Sequence, residues 1–220
     1  MFTKEVINML MKEFQSTLYM VLVSTLIAYL IGLPLGVILT VTNKNGIRPN
    51  ATIYKVLDVI TNVIRSIPFI ILLILIIPFT RFVVGKSYGA TATIVPLVVA
   101  AAPFIARMVE SSLSEVDQGV IEAAQSMGAS NFQIIWKVLL VEARTSLIVG
   151  ATITTGSILG YSAMAGAVGG GGLGDVAIRY GYHRYQTEIM VVTLILIVII
   201  FQILQGIGMY IAKKLDRRLR

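Results

Sequence analysis

The residues with the clearest potential for chemistry form a glycine-rich run at positions 166–174. Gly169, Gly171 and Gly174 satisfy the dinucleotide-binding pattern G-x-G-x-x-G. That pattern requires a preceding strand and a following helix in a soluble βαβ unit, whereas a long apolar segment precedes it here. The phosphate-loop pattern G-x-x-x-x-G-K-[ST] is absent from the sequence. We therefore expect no nucleotide binding by this chain, and interpret the glycines as sites of positive φ or close backbone approach.

Residues suited to metal, redox or covalent chemistry are scarce. The chain has no Cys and a single His, His183, which excludes disulfides, thiolate metal sites and multi-His metal centres. No pairing of a nucleophile with a base stands out either. We expect no catalytic, cofactor-binding or metal-binding residues in this chain, and His183 is assigned no role.

Three polar residues lie within an otherwise apolar region. Asp58, Asn62 and Arg65 are spaced four and three apart, which places them on one face of a helix. One interpretation is an interfacial helix end whose charged side chains extend to water. The other is a polar face turned toward a partner helix or a cavity.

The composition determines what kind of element positions these residues. Only 13% of residues are charged, 56% are hydrophobic, and the mean hydropathy is +0.86. A soluble domain carries about 25% charge, so the chain is predicted to be an integral membrane protein. The net charge of +7 is then expected in cytoplasmic loops, with no nucleic-acid partner.

Five membrane spans are predicted, because about 20 apolar residues cross a bilayer. The fold class is therefore an all-α polytopic helix bundle forming one domain over residues 1–220. Residues 1–14 are predicted to form a separate amphipathic segment on the bilayer surface, and residues 107–144 a long cytoplasmic loop. The predicted spans are residues 15–40, 56–80, 87–106, 145–165 and 189–212.

The basic residues predict the orientation of these spans. The densest basic cluster is the C-terminal segment 213–220, which the positive-inside rule assigns to the cytoplasm. Five spans then place the N-terminus outside. In this arrangement 12 of the 18 Lys and Arg residues lie on the inner side and 6 on the outer side.

The cytoplasmic loop is predicted to fold as a compact helix-turn-helix. Residues 116–125 have a helical pattern, and Gly128 is typical of a residue just after a helix. Ser130 or Asn131 can cap a second helix over residues 131–140. Such an element suits docking to another protein.

The same loop carries a sequence resemblance. The segment 122–128, EAAQSMG, resembles the EAA loop of binding-protein-dependent ABC importer permeases, written EAA-x3-G-x9-I-x-LP. Val138 stands where the motif has Ile, and Val141 where it has Pro. Without that proline we expect the second helix to continue past its usual break.

The resemblance implies a function for the loop. Its short helix would sit in a surface cleft of a separate ABC ATPase subunit, and ATPase closure would move the attached helices. Ala123 and Ala124 would permit close approach, Glu122 would provide a charged anchor, and Gly128 a turn. The implied coupling residues are Glu122, Ala123, Ala124, Gly128, Ala129 and Ser130. One loop per chain and two ATPase subunits imply a homodimer, with ATP-Mg bound by the ATPase.

A second stretch is similar to one branch of the family. Residues 160–174, followed by Tyr180-Gly181-Tyr182, resemble the permease subunit of methionine importers. The resemblance implies a type-1 ABC transmembrane domain in the bacterial cell membrane and an extracytoplasmic methionine-binding protein as partner. It also implies a path between two copies, with a gate at Tyr161, Ser162, Ala163 and Met164. Met164 is equally compatible with simple helix packing.

Three other functions stay open from the sequence. A permease for another amino acid or small solute would share the same loop. A channel or secondary transporter would require polar sites near the bilayer centre and would leave the loop without a role. An intramembrane enzyme is disfavoured by the single His and the missing Cys.

Overall fold

The computed structural model describes residues 4–216, and within this range the chain is helical and contains no strand. The all-α prediction is thus confirmed. Arg217, Arg218 and Arg220 of the predicted basic cluster lie outside the described residues. The first six α-helices in this range are α1 (Lys4–Thr42), α2 (Ala51–Ser66), α3 (Phe69–Leu75), α4 (Ile77–Val84), α5 (Ala90–Ser114) and α6 (Gln118–Ser126). They are followed by α7 (Asn131–Gln133), α8 (Leu140–Glu142), α9 (Arg144–Ala165), α10 (Gly172–Val176) and α11 (Thr187–Leu215).

Four helical segments are long and apolar enough to cross a membrane: Lys4–Thr42, Ala90–Ser114, Arg144–Val168 and Thr187–Leu215. A fifth crossing is possible if α2 and α3 together count as one span. The structure therefore supports four to five spans within the described residues.

The N-terminal region differs from the prediction. Residues 4–14 are not a separate amphipathic segment, because they form the first turns of the 39-residue helix α1. No glycine or proline interrupts residues 4–31, so nothing in the local sequence ends the helix near residue 14. Pro34 is accommodated inside α1. The predicted segment also included residues 1–3, which lie outside the described residues.

The prediction of one continuous helix over residues 56–80 is wrong. The axes of α2 and α3 differ by 102° across a break at Ile67 and Pro68. A proline disfavours helical backbone at the preceding residue, and Pro68 then serves as the N-cap of α3. A second interruption at Ile76 separates α3 from α4, with a proline in the first turn of α4.

The chain forms two compact units. The first unit comprises Met1–Ala28, Ile67–Ala101 and Thr155–Gln205, and the second comprises Tyr29–Ser66, Ala102–Thr154 and Gly206–Arg220. The largest fully buried side chains of the first unit are Met20, Val21, Leu97, Ile158, Leu159 and Leu173. Those of the second unit are Leu39, Ile105, Val109, Leu113, Ile134 and Leu139.

Two glycines bring α1 and α5 together within the second unit. A Cβ on Gly32 would lie 2.7 Å from the Ala102 carbonyl oxygen, and one on Gly36 would lie 2.6 Å from that of Ala106. Small residues four apart permit this kind of backbone approach between membrane helices. The pair therefore fixes the position of α5, which leads directly into the long loop.

Candidate functional site

The loop after α5 has the predicted helix-turn-helix form. Asp117 caps α6, because its carboxylate accepts a hydrogen bond of 2.8 Å from the Gly119 amide. The helix thus begins at Gln118, two residues later than predicted. Gly128 follows it at φ +78°, in the left-handed region that favours glycine. The prediction that Gly128 ends this helix is confirmed.

Of the two predicted caps of the second helix, Ser130 and Asn131, the structure uses Ser130. Its hydroxyl accepts from the Gln133 amide at 3.3 Å, and the Gln133 side chain accepts from the Ser130 amide at 2.8 Å. This reciprocal pair is a capping box. The chain then stays helical through a π-helical segment, Ile134–Leu139, to Glu142. Val141 introduces no break, in agreement with the expectation for a sequence without the proline.

The helix α6 has an inner and an outer face. Ile121 and Ala124 are buried within this chain, while Glu122 and Ala123 are exposed. The burial of Ala124 corrects the expectation that both alanines allow an outside protein to approach, because only Ala123 lies at the surface. The inner face packs against the Ile134–Leu139 segment, and the Gln118 side chain donates to the Asn45 carbonyl at 3.4 Å. Glu122 and Ala123 are therefore presented on a supported helix.

Four exposed apolar side chains lie in the same loop, and the sequence analysis missed them. We call them the loop apolar patch: Val120, Met127, Phe132 and Trp136. Met127 is 82% exposed, and the Phe132 and Trp136 rings lie 6.0 Å apart. The sequence did contain a signal for this patch, because the loop combines large apolar residues with several charged ones. Exposed patches of this kind mark interaction sites on proteins.

The four candidate gate residues, at the end of α9, face in different directions. Ser162 is buried and donates to the Leu159 carbonyl at 2.8 Å, while Met164 is 51% exposed. The Tyr161 ring stacks on Phe69 with centroids 4.7 Å apart. Ala163 is half-buried, with its carbonyl against Gly174. Only Tyr161 and Met164 are spaced to share one helical face.

The glycine run forms a tight return of the chain within the first unit. A Cβ on Gly166 would collide with the backbone of Gly174 and Asp175, and one on Gly174 with the backbone of Ala163. Thr93 donates to the Gly170 carbonyl at 3.1 Å. The run therefore acts through backbone shape, as interpreted from the sequence.

The helix that follows the run, α10, has its first two backbone amides bound to side chains. The Gly172 amide donates to the Glu13 carboxylate at 2.8 Å, and the Leu173 amide donates to the Thr17 hydroxyl at 2.9 Å. These are the groups that would hold a phosphate in a nucleotide-binding motif. Side chains of α1 fill that position instead.

Asp175 in α10 lies outside the membrane spans, and the pKa of its carboxyl is shifted. Burial raises the pKa of its carboxyl and the nearby Glu13 carboxylate adds to this, while Arg179 opposes both. The Arg179 Nη2 atom lies 2.5 Å from Asp175 Oδ2.

The polar face of α2 turns toward α5 within the second unit. Asp58 accepts from the Asn62 side chain at 3.3 Å and forms an ion pair with Arg107 of α5. The Arg65 guanidinium lies 5.9 Å from the centre of the Phe104 ring. Of the two interpretations of this face, the partner helix is the one that the structure supports. Arg107 itself was missed, because nothing in its sequence surroundings indicates a partner 49 residues away.

Among residues 4–216, no three His, Asp or Glu side chains converge as metal ligands would. The fold forms three features of interest: the exposed loop helix, the face shared by Tyr161 and Met164, and the polar contact between α2 and α5.

Comparison with known proteins gives these features a context. Residues 32–220 match the family described as the binding-protein-dependent transport system inner membrane component. The chain belongs to this family. Relatives of this chain are named as permeases. The exposed loop helix carries the segment that resembles the EAA motif.

Individual relatives are similar over most of their length. A probable D-methionine transport system permease of Vibrio cholerae is 48% identical over 96% of this chain and 94% of its own. The D-methionine transport system permease of Escherichia coli K12 is 52% identical over 72% of this chain and 73% of its own.

Solved structures agree with the family. A chain from an inward-facing methionine ABC transporter crystal structure superposes with a TM-score of 0.97 at 48% identity, covering 98% of this permease and 100% of that chain. An amino acid ABC transporter is 21% identical with a TM-score of 0.69, which supports the fold alone. The permease fold predicted from the sequence is confirmed.

Proposed function

We propose that this chain is the membrane-spanning permease subunit of an ATP-driven importer that moves methionine into the cell. The observation that carries the proposal is the match at 48% identity and a TM-score of 0.97 to a chain of a methionine ABC transporter. Permeases named for D-methionine transport are similar to almost the whole chain.

The exposed face of α6 is the site proposed to contact the ATPase. Glu122 and Ala123 would enter a cleft on that subunit, while Gly128, Ala129 and Ser130 set the turn behind them. The loop apolar patch enlarges the contact area, since interfaces are enriched in aromatic residues and Met. Ala124 contributes from inside by holding α6 on this chain.

The proposed assembly contains two copies of this permease and two ATPase subunits. ATP and Mg²⁺ would bind to the ATPase subunits, and this chain would perform no catalysis. An extracytoplasmic methionine-binding protein would deliver the substrate to the outer side. The basic residues favour an orientation with the N-terminus outside and the C-terminus in the cytoplasm.

Two different functions remain as alternatives. A permease for another amino acid would have the same loop and fold, so only transport measurements distinguish it. A secondary transporter or channel would move substrate without ATP, and it would leave the exposed EAA-like helix unused.

The deciding experiment is methionine uptake into proteoliposomes that contain this permease, its ATPase and its binding protein. Wild type is compared with the double variant Glu122→Ala, Gly128→Pro and with a control, Glu5→Ala, at an exposed acidic residue outside the loop. We expect ATP-dependent uptake in wild type and control, and its loss in the double variant.

The other results are informative in different ways. Uptake without ATP would replace the importer with a secondary transporter. Binding-protein-stimulated ATP hydrolysis without methionine movement would retain the importer and discard methionine as its substrate.

A further inference from the structure

A cluster of charged side chains joins α2 to α5 within the second unit. The Arg107 Nη2 atom contacts the Asp58 carboxylate and lies 3.4 Å from the Asp58 carbonyl oxygen. Its Nη1 atom lies 2.6 Å from Glu110 Oε2, and the Tyr54 hydroxyl donates to Glu110 Oε1 at 3.1 Å. We call these four residues, Tyr54, Asp58, Arg107 and Glu110, the α2–α5 ionic cluster.

Stability alone is a poor explanation of this cluster. The side chains of Arg107 and Glu110 are 17% and 11% exposed, and that of Asp58 is 32% exposed. One cation faces two carboxylates, and the buried Arg107 Nε has no hydrogen-bond partner among the described residues. Replacing such buried ion pairs with apolar residues is often neutral or stabilising, and ionisable residues in membrane helices usually have a function.

The position of the cluster suggests what that function is. Arg107 and Glu110 lie in the last two turns of α5, which ends at Ser114. The Ser114 hydroxyl donates to the Glu110 carbonyl at 2.8 Å, and α6 begins at Gln118. The cluster therefore holds α2 onto the stem that carries the proposed ATPase-contacting helix.

The chemistry of the contact matters for transmitting movement. The hydrophobic contribution to a contact between helices has no preferred direction. A guanidinium bound to a carboxylate and to the carbonyl of the same residue has a fixed direction and position. Arg107 contacts both the side chain and the backbone carbonyl of Asp58, so the contact opposes a displacement of α5 relative to α2.

We propose that Arg107 is a positioning residue for transport, which makes α2 follow α5 when the ATPase displaces the EAA loop. This inference rests on the proposed function, because it assumes that the loop is moved by an ATPase. It assigns the α2–α5 ionic cluster the role of converting loop movement into movement of α2. Loss of the cluster should uncouple ATP hydrolysis from transport.

The first test measures uptake and ATP hydrolysis in the same proteoliposomes. Asp58→Asn keeps the side-chain shape and leaves Arg107 paired with Glu110, so the protein should fold. Tyr54→Phe removes only the hydroxyl, and Glu115→Gln serves as the control, an exposed acidic residue at the end of the same stem but outside the cluster. For Asp58→Asn we expect substrate moved per ATP to fall about tenfold, because the amide oxygen of Asn accepts from Arg107 without the negative charge that strengthens the bond.

In the same variant, hydrolysis should stay within about twofold of wild type, because the ATPase contact is intact. Tyr54→Phe should give a smaller fall in the same ratio, and Glu115→Gln none. An unchanged ratio in Asp58→Asn contradicts the proposal. A proportional loss of uptake and hydrolysis also contradicts it, because that pattern indicates a merely structural role.

The second test does not depend on the substrate. The chain has no Cys, so spin labels can be placed at Thr52 and Ser111, which are exposed on α2 and α5. In the wild-type complex we expect one α2–α5 distance with and without ATP. Asp58→Asn should add a second distance when ATP is present, and an identical distance in both proteins would overturn the proposal. If the second distance appears in Asp58→Asn but wild type does not take up methionine, only the proposed substrate is contradicted.

Discussion

At the scale of single residues, Gly128 is a glycine that the backbone requires. Its φ of +78° lies in the left-handed region, although a Cβ there would meet no atom within 4 Å. Substitution is therefore opposed by backbone conformation and not by crowding. Gly206, inside α11, has equally open surroundings without a positive φ, which makes it a matched control.

Replacing Gly128 by Ala should lower the free energy of unfolding of the loop region by about 1 kcal/mol, the typical cost of left-handed backbone for a residue with a Cβ. Gly206→Ala should raise stability by about 0.5–1 kcal/mol, since alanine is favoured in a helix. Thermal unfolding of the purified complex measures both changes. Equal effects of the two substitutions would exclude the backbone explanation.

The acidity of Asp175 predicts a pH effect on stability. Because burial raises its pKa above the ordinary value of 3.8, the ionised carboxylate is less favourable in the folded protein than in the unfolded one. That penalty is present at neutral pH, falls as the pH drops through the folded pKa, and is gone below 3.8.

The measurement compares Tm of wild type and Asp175→Asn from pH 7 to pH 4. The difference, wild type minus variant, should become more positive as the pH falls, since only wild type regains stability on protonation. Titrating groups that do not interact with Asp175 cancel in this difference. A difference that decreases toward pH 4 would mean that the Arg179 ion pair outweighs burial.

At the scale of secondary-structure elements, the short helix α10 depends on side chains of α1. Thr17→Val removes the hydroxyl that accepts from the buried Leu173 amide, so we expect a loss of about 1–3 kcal/mol from the unpaired donor. Thr25→Val on the same helix is the control, because the Thr25 hydroxyl is buried without a partner in the part of the chain described. Chemical unfolding should show a clear loss for the first variant and no loss for the second.

The elements also explain what could be predicted from the sequence. The turn at Gly128 and the cap at Ser130 follow from local backbone rules, so these two features of the EAA loop were predictable. The break before Phe69 was missed because the apolar run 66–80 outweighed Pro68. The contacts of Glu13 with Gly172 and of Asp58 with Arg107 join positions 159 and 49 residues apart, and no local pattern specifies such pairs.

At the scale of the whole molecule, the proposed path lies between two copies of the permease. Met164 is half exposed at the end of α9, where a flexible thioether could close around an apolar substrate. Met164→Ala should increase passive methionine leak several-fold while ATP hydrolysis is retained. Leak and transport that both equal wild type, measured in the same vesicles, would leave Met164 as helix packing only.

The length of α1 has a consequence for the lipid around the protein. Residues 14–42 carry no charged side chain, and at about 1.5 Å per residue they extend over roughly 43 Å. The hydrocarbon layer of a typical bilayer is about 30 Å thick. This hydrophobic mismatch is relieved by tilting the helix or by thickening the membrane around it. Acyl-chain length should thus affect how this permease is accommodated, and long-chain lipids should be the better host for it.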